Sequence, residues 1–534
     1  MSHLLSILIL LPALASLGML LIPSDRKPVI KAWALGASLL NLALGLGLWF
    51  GFQPETGFQF VEKATWLPSL GISYHLGVDG LSVLIAMLTL ALTPVAILAS
   101  WNRIQHKLRG YYACMLLLSS GMLGAVVARD LFLFYVFWEV MLLPMFFMIG
   151  VWGGEKRVFA TVKFVLYTLV GSLFMFLAIL YVTYKHFALN GTWTFDIASL
   201  YGLSYGPTEM WLLFGAFFLA FAIKTPVWPF HNWLPDAYTQ APTPATFMLS
   251  AVMAKIGAYG FLRFLIPMFP EAAKTAAPLV MGLGMIGLVY GAWLALAQTD
   301  AKRLIAYSSL SHMSIIVVGI FALNAYGVTG SVFYFMAHAL ATGALFLLVM
   351  MLAERRGTRE IAEFGGIAKA APWLTVAFVF VTMASVGLPG LNGFVGEFLM
   401  LLGAFGTSGL IGAVATTGVI WSACYMLWMV SRIFFGESQN PANQGFRDLS
   451  FREAAVVLPL AAVILWTGFY PQSVLSKIEP SVQEFVSQYG IAPAKAAAKE
   501  TPTPAVPAAH DAGEAGSEGH SPEDPAPAAD EHGH

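Results

Sequence analysis

The chain alternates long apolar runs with short polar loops almost to its end. Each run has about the 20 residues that cross roughly 30 Å of hydrocarbon at 1.5 Å per residue. Fourteen runs fall at 3–22, 31–51, 78–100, 111–128, 131–152, 162–184, 209–232, 243–266, 277–297, 303–323, 328–352, 372–405, 408–434 and 454–470. The pattern predicts an all-α fold: a polytopic membrane protein with about 14 transmembrane helices. Two runs carry helix breakers in mid-course: the seventh holds Pro226, Pro229 and Pro235, and the twelfth holds GLPGLNG from Gly387 to Gly393.

Non-helical backbone at membrane depth is tolerated only where protein or trapped water satisfies the freed polar groups. Paired discontinuous helices five spans apart are the sequence sign of an internal repeat. The expected units are spans 4–8 and 9–13, and because five is odd the second unit is inverted in the bilayer. GSLF at Gly171 and GALF at Gly343 fall in corresponding helices of the two units. The layout is then residues 1–110 for spans 1–3, 111–266 for the first repeat, 277–434 for the inverted repeat and 454–470 for the last span. Residues 492–534 form a tail of Ala, Pro, Glu and His with too few large apolar side chains to bury a core, and the composition predicts disorder.

Six ionisable residues interrupt apolar runs. Lys224 and Lys255 stand in spans seven and eight, Glu139 in span five, His312 and His338 in spans ten and eleven, and Glu397 follows the break of span twelve. Glu139 lies nine residues past Asp130, about 13 Å into the membrane by helical rise, and the histidines sit at similar depth. Charged residues are expensive in hydrocarbon and mark ion or proton paths lined by protein or water. The competing reading of each is structural: a neutralised carboxylate, or a histidine that hydrogen-bonds between helices. Their common depth favours a polar row running along the membrane plane.

Composition agrees with this class. The chain is 58% hydrophobic and 11% charged, with a mean hydropathy of +0.74, which excludes a soluble domain. The first run has no basic residue ahead of it and is expected to be a retained span, not a cleaved leader. Cys114 and Cys424 fall in separate spans and make neither a disulfide framework nor a metal cluster. Loop Lys and Arg crowd one side, as in Arg26/Lys27, Arg103/Lys107/Arg109, Lys302/Arg303 and Arg355/Arg356/Arg359. The other side has only Lys63, Arg129, Lys185, Arg263 and Lys274. By the positive-inside rule both termini lie on the non-cytoplasmic side. The four tail histidines match no metal-site spacing.

The stretches ARDLFLFYVFWE, IKTPVWPFHNWLPDAYTQAPTP, AKIGAYGFLRF, AKRLIAYSSLSHMS and LPGLNGFVGEF resemble the antiporter-like subunits of respiratory complex I, the proton-pumping NADH:quinone oxidoreductase. The resemblance covers nearly the whole chain except the tail. It implies that Glu139 is the span-five glutamate, Lys224 its lysine partner in the broken helix, and Lys255 the central lysine. The distal position, Glu397, is glutamate in the family's M branch, equivalent to mitochondrial subunit 4, and lysine in the other members. The resemblance also implies a bacterial inner-membrane setting within the lipid bilayer, with antiporter-like subunits L and N as partners and no nucleic acid. It places no cofactor in this chain; NADH, FMN, Fe-S clusters and quinone would belong to partner subunits.

The expected mechanism is a relay through Glu139, Lys224, Lys255, His312 or His338, and Glu397, with protons passing in and out through the broken helices. Lys255 is the natural centre, because a lysine amine walled by apolar side chains can both take up and give up a proton. A carboxylate and an ammonium about 4 Å apart at an effective dielectric near 20 attract by about 4 kcal/mol, so Glu139 is expected to control Lys224. A subunit of a multisubunit sodium/proton antiporter is the alternative, since it would use the same residues. A passive scaffold does not explain the aligned charges.

Overall fold

The computed structural model describes residues 3–437, 440–443 and 445–490. The expected tail, 492–534, lies outside the described residues. The helices that follow are α1 Leu4–Gly18, α2 Lys27–Gly51, α3 Gly80–Ser100, α4 Leu108–Val127, α5 Leu131–Trp152 and α6 Arg157–Asn190. Next come α7 Pro207–Lys224, the short α8 Leu234–Gln240, α9 Thr243–Met268, α10 Pro270–Leu296, α11 Ala301–Phe321 and α12 Ala325–Arg356. The chain closes with α13 Pro372–Ser385, α14 Asn392–Thr407, α15 Gly409–Phe434, α16 Phe451–Phe469 and α17 Gln472–Tyr489. Among the described residues, 13 helices are long and apolar enough to cross a membrane. The pair α13 and α14 supplies the twelfth expected crossing in two pieces, so all fourteen expected runs are accounted for.

Helix ends are written in the sequence. Asp130 and Asp300 each accept two backbone N–H groups at the starts of α5 and α11, and Asn324 accepts Gly327 N–H at the start of α12. Gly191 and Gly357, at φ 71° and 74°, end the long helices α6 and α12 in the left-handed conformation open to glycine. Both expected breaks are present. The chain leaves helical geometry between Lys224 and Leu234, and again between Ser385 and Asn392, where Gly387 and Gly390 have φ of 75° and 91°.

Helices α9 and α12 are the interior pillars, buried along their whole apolar windows, whereas α2, α15 and α16 are buried over about a third of theirs. Helix α6 turns Leu166, Leu169, Leu173 and Leu177 outward, the face a lipid-solvated helix presents. Two elements went unpredicted. An antiparallel hairpin pairs β1 Gln59–Leu67 with β2 Ile72–Val78, and the amphipathic α17 packs against α3 and α12. Gly80 leaves room for this approach, and its N–H donates to Ser481 Oγ at 2.9 Å.

Candidate functional site

Lys255 lies at the centre of α9 and is 0% exposed. Two π-helical turns, Leu249–Met253 and Phe261–Leu265, flank it; such turns displace backbone carbonyls from the regular ladder and recur at functional sites. Its Nζ donates to Ser250 O at 2.6 Å and lies 2.5 Å from His338 Nδ1. Gly257, two residues on, lets the broken end of α7 approach: a Cβ there would meet Thr225 Oγ1 at 2.6 Å and Lys224 Cβ at 2.9 Å.

From His338 the row continues through adjoining polar rings. The His312 ring stands 5.7 Å from the His338 ring, centroid to centroid, and Tyr334, one turn before His338 on α12, stands 6.1 Å from His312. Tyr334 OH donates to Glu397 Oε1 at 2.6 Å. Glu397 projects from the first turns of α14, just past the second break, and Gly396 beside it admits the Tyr334 backbone and ring. His312 Nε2 pairs with Ser422 Oγ at 3.2 Å, and Tyr425 OH with Ser308 Oγ at 3.0 Å. Lys255, His312, His338 and Glu397 are thus brought together. Sequence reasoning missed Tyr334, although its spacing of four from His338 puts both on one helix face. Ser250, Ser422 and Tyr425 carried no signal.

The Glu139–Lys224 pair departs from expectation. Lys224, buried at the end of α7, directs its Nζ over the Trp138 ring, 4.7 Å from the centroid. No ion pair joins it to Glu139 among the described residues, and Glu139 Oε1 is buried without a hydrogen-bond partner. Glu139 still acts on Lys224 electrostatically, but beyond contact. The reason is helical direction. Trp138 and Glu139 are successive residues, so their side chains leave α5 about 100° apart and one lysine reaches only the first. An indole face is the strongest aromatic partner for a desolvated ammonium.

A cavity of about 1080 Å3 opens on the side of the basic loops, lined by residues including Arg103, Asp236, Thr239, Lys302 and Arg359. The buried hydroxyls of Thr239, which lines it, of Tyr238 and Ser309, and of Ser250, whose carbonyl accepts Lys255, close no well-formed hydrogen bond to protein, although Tyr238 stands near both Ser309 and Ser250. Thr342 Oγ1, His338 Nε2, His312 Nδ1 and Thr225 Oγ1 have the same character. Buried polar atoms in such number are ordinarily completed by water. On the opposite side of Lys255, Arg263 Nη2 meets Asp79 Oδ2 at 2.5 Å and its Nε donates to Tyr259 OH. Among the described residues, no three His, Cys, Asp or Glu converge as metal ligands.

A family model described as "NADH:quinone oxidoreductase/Mrp antiporter, TM" matches residues 128–422. The chain is 42% identical over 507 residues to NADH-quinone oxidoreductase subunit M of Rhodobacter capsulatus, covering 92% of this chain and 97% of that one. It is 39% identical over 488 residues to NADH-ubiquinone oxidoreductase chain 4 of Marchantia polymorpha, covering 91% and 97%. Among solved structures, a chain of respiratory complex I from Thermus thermophilus superposes with a TM-score of 0.83 at 34% identity, over 91% of this chain and 100% of that one. A chain of the Mrp complex from Dietzia superposes at 0.79 but is 23% identical, a likeness of fold.

Proposed function

The chain belongs to the antiporter-like subunit family of proton-translocating NADH:quinone oxidoreductase, and on that premise we propose that its buried polar row carries the protons. The chain is a proton-pumping membrane subunit of that oxidoreductase. Protons taken from the cavity pass the hydroxyls of Thr239, Tyr238, Ser309 and Ser250 to Lys255, then through His338, His312 and Tyr334 to Glu397. Glu139 and Lys224 form the other end, where a change in their separation alters the field at Lys255. The contact of Lys255 with His338 and of Tyr334 with Glu397, with the Tyr334 and His338 rings 6.2 Å apart between centroids, is the observation that carries this reading, since water completes the step between the two rings.

The redox chemistry belongs to partner subunits holding NADH, FMN, Fe-S clusters and quinone, and its energy reaches this chain through conformational or electrostatic coupling. The lateral neighbours are antiporter-like subunits L and N in a bacterial inner membrane, with both termini of this chain on the non-cytoplasmic side. The breaks at 225–233 and 386–391 serve as the pivots of two inverted five-helix units. A sodium/proton antiporter subunit would use the same row, but relatives near 40% identity carry oxidoreductase names whereas the Mrp likeness is one of fold. The test is NADH-driven proton uptake by vesicles holding the assembled complex. Lys255→Met is expected to lower it about tenfold while the complex still assembles on native gels; unchanged uptake would refute the relay.

A further inference from the structure

Resting on the relay reading, we infer that Lys302 is a positioning residue that latches the broken helix and holds open the path from the cavity to Lys255. It is one of the deeply buried cations of the chain, 2% exposed, and the relay does not use it. It stands in the first turn of α11, where the helix dipole disfavours a positive charge, so its presence does not serve α11. Among the described residues no carboxylate comes within ion-pair distance of it. Its neighbour Asp300 is otherwise engaged, capping α11 through the N–H groups of Lys302 and Arg303 and pairing with Arg359 Nε at 3.1 Å.

The ammonium instead reaches across to the end of α8. Lys302 Nζ donates to Ala241 O at 2.6 Å and Thr239 O at 3.3 Å, and Arg359 Nη1 donates to Thr239 O at 3.0 Å. These carbonyls have no intrahelical partner, and a helix C-terminus favours a cation. A seven-residue helix has little stability of its own, so its fastenings decide where it sits: Lys163 pairs with Asp236 at 2.7 Å, Gly154 N–H donates to Gln240 O at 2.8 Å, and Lys302 with Arg359 holds the last carbonyls. Tyr238 belongs to the same turn, and its backbone carbonyl accepts Thr246 Oγ1 at 2.8 Å, which ties the latch to the start of α9 and Lys255. Lys302 also lines the cavity. The latch therefore sits where the cavity gives way to the buried hydroxyls, and releasing it lets the end of α8 move across their path.

The experiment compares Lys302→Met, Lys302→Gln and Lys302→Arg in the assembled oxidoreductase, with Lys255→Met alongside. NADH-driven proton uptake in vesicles is read against the amount of complex on native gels. Lys302→Met is expected to pump about fivefold less per assembled complex. Lys302→Gln, which keeps a donor without the charge, should stay nearly as low and carries the test should the Met variant not assemble. Lys302→Arg, with charge and donors restored, should recover at least half. Wild-type uptake in the Met and Gln variants, or no recovery in Arg, overturns the latch. Normal uptake in Lys302→Met beside lost uptake in Lys255→Met removes the latch alone, whereas normal uptake in both removes the relay beneath it.

Discussion

Tyr334 and Glu397 share one hydrogen bond at the distal end of the row, and the carboxylate accepts it beside the backbone of the second break. In Glu397→Gln the volume stays and the anion goes, so proton uptake is expected to drop about fivefold or more with assembly intact, while Glu397→Asp keeps part of it. Tyr334→Phe leaves the carboxylate buried without its donor, at a typical cost of about 1–3 kcal/mol, and should slow pumping without abolishing it. Equal uptake in the Gln and Asp variants would reduce Glu397 to packing. At the other end, Lys224 rests on Trp138 and feels Glu139 at a distance. Removing the carboxylate in Glu139→Gln takes away a through-space attraction of about 1–3 kcal/mol and should depress uptake and NADH turnover together, about tenfold. Glu139→Asp keeps the charge and is expected to be milder. Wild-type pumping by Glu139→Gln would leave the residue a structural acid.

The elements around the site divide into ones with an interrupted hydrogen-bond ladder and ones that are pinned. The breaks and the π turns of α9 release carbonyls and allow repacking, whereas the hairpin is stapled. Asp130 Oδ2 accepts Ser73 N–H at 2.9 Å, and Asp196 Oδ2 accepts Lys63 Nζ at 2.9 Å and contacts His75 Nδ1 at 3.0 Å. Burial opposes ionisation of Asp196, but His75 and Lys63 outweigh it and hold its carboxyl well below the usual range. A depressed folded-state value contributes stability above the unfolded carboxyl value near 4, and that contribution is lost as pH falls below it toward the folded value. Asp196→Asn should therefore loosen the hairpin at neutral pH by about 1 kcal/mol, a figure kept low because Lys63 is exposed and solvent-screened. Hydrogen exchange over 59–78, corrected for intrinsic rates, checks this. The wild type should approach the variant only below about pH 4, and identical protection at neutral pH would remove Asp196 from the lock.

At the scale of the molecule, the polar row lies inside a bundle whose interior helices α9 and α12 are shielded from lipid by the remaining spans. Such a core depends on residues up to Tyr489, because α17 docks through Ser481 and through Lys477, whose Nζ donates to Phe52 O at 2.8 Å. Beyond it the composition offers almost no large apolar side chain that could join the bundle. Truncation after Ala492 is accordingly expected to leave NADH-driven quinone reduction within about 20% of wild type. Loss of the complex from native gels would show that the tail takes part in assembly.

The spans, both breaks and four members of the row were legible in the order of residues. Hydrocarbon sets the length of a crossing helix, proline and glycine interrupt it wherever they fall, and an ionisable side chain in an apolar run stands out whatever the fold. What the order of residues left open was partnership between helices. Lys255 chose His338 for its 2.5 Å contact and Glu397 acquired Tyr334 because α12 approaches α9 through the glycine at 343 and α14 through the glycine at 396. Lys224 settled on Trp138 instead of Glu139 because side-chain direction on α5 decides which neighbour a lysine reaches. Hairpin β1–β2 and α17 escaped because a two-stranded sheet and a half-apolar surface helix draw their stability from what they pack on, and that surface exists only once the bundle has formed.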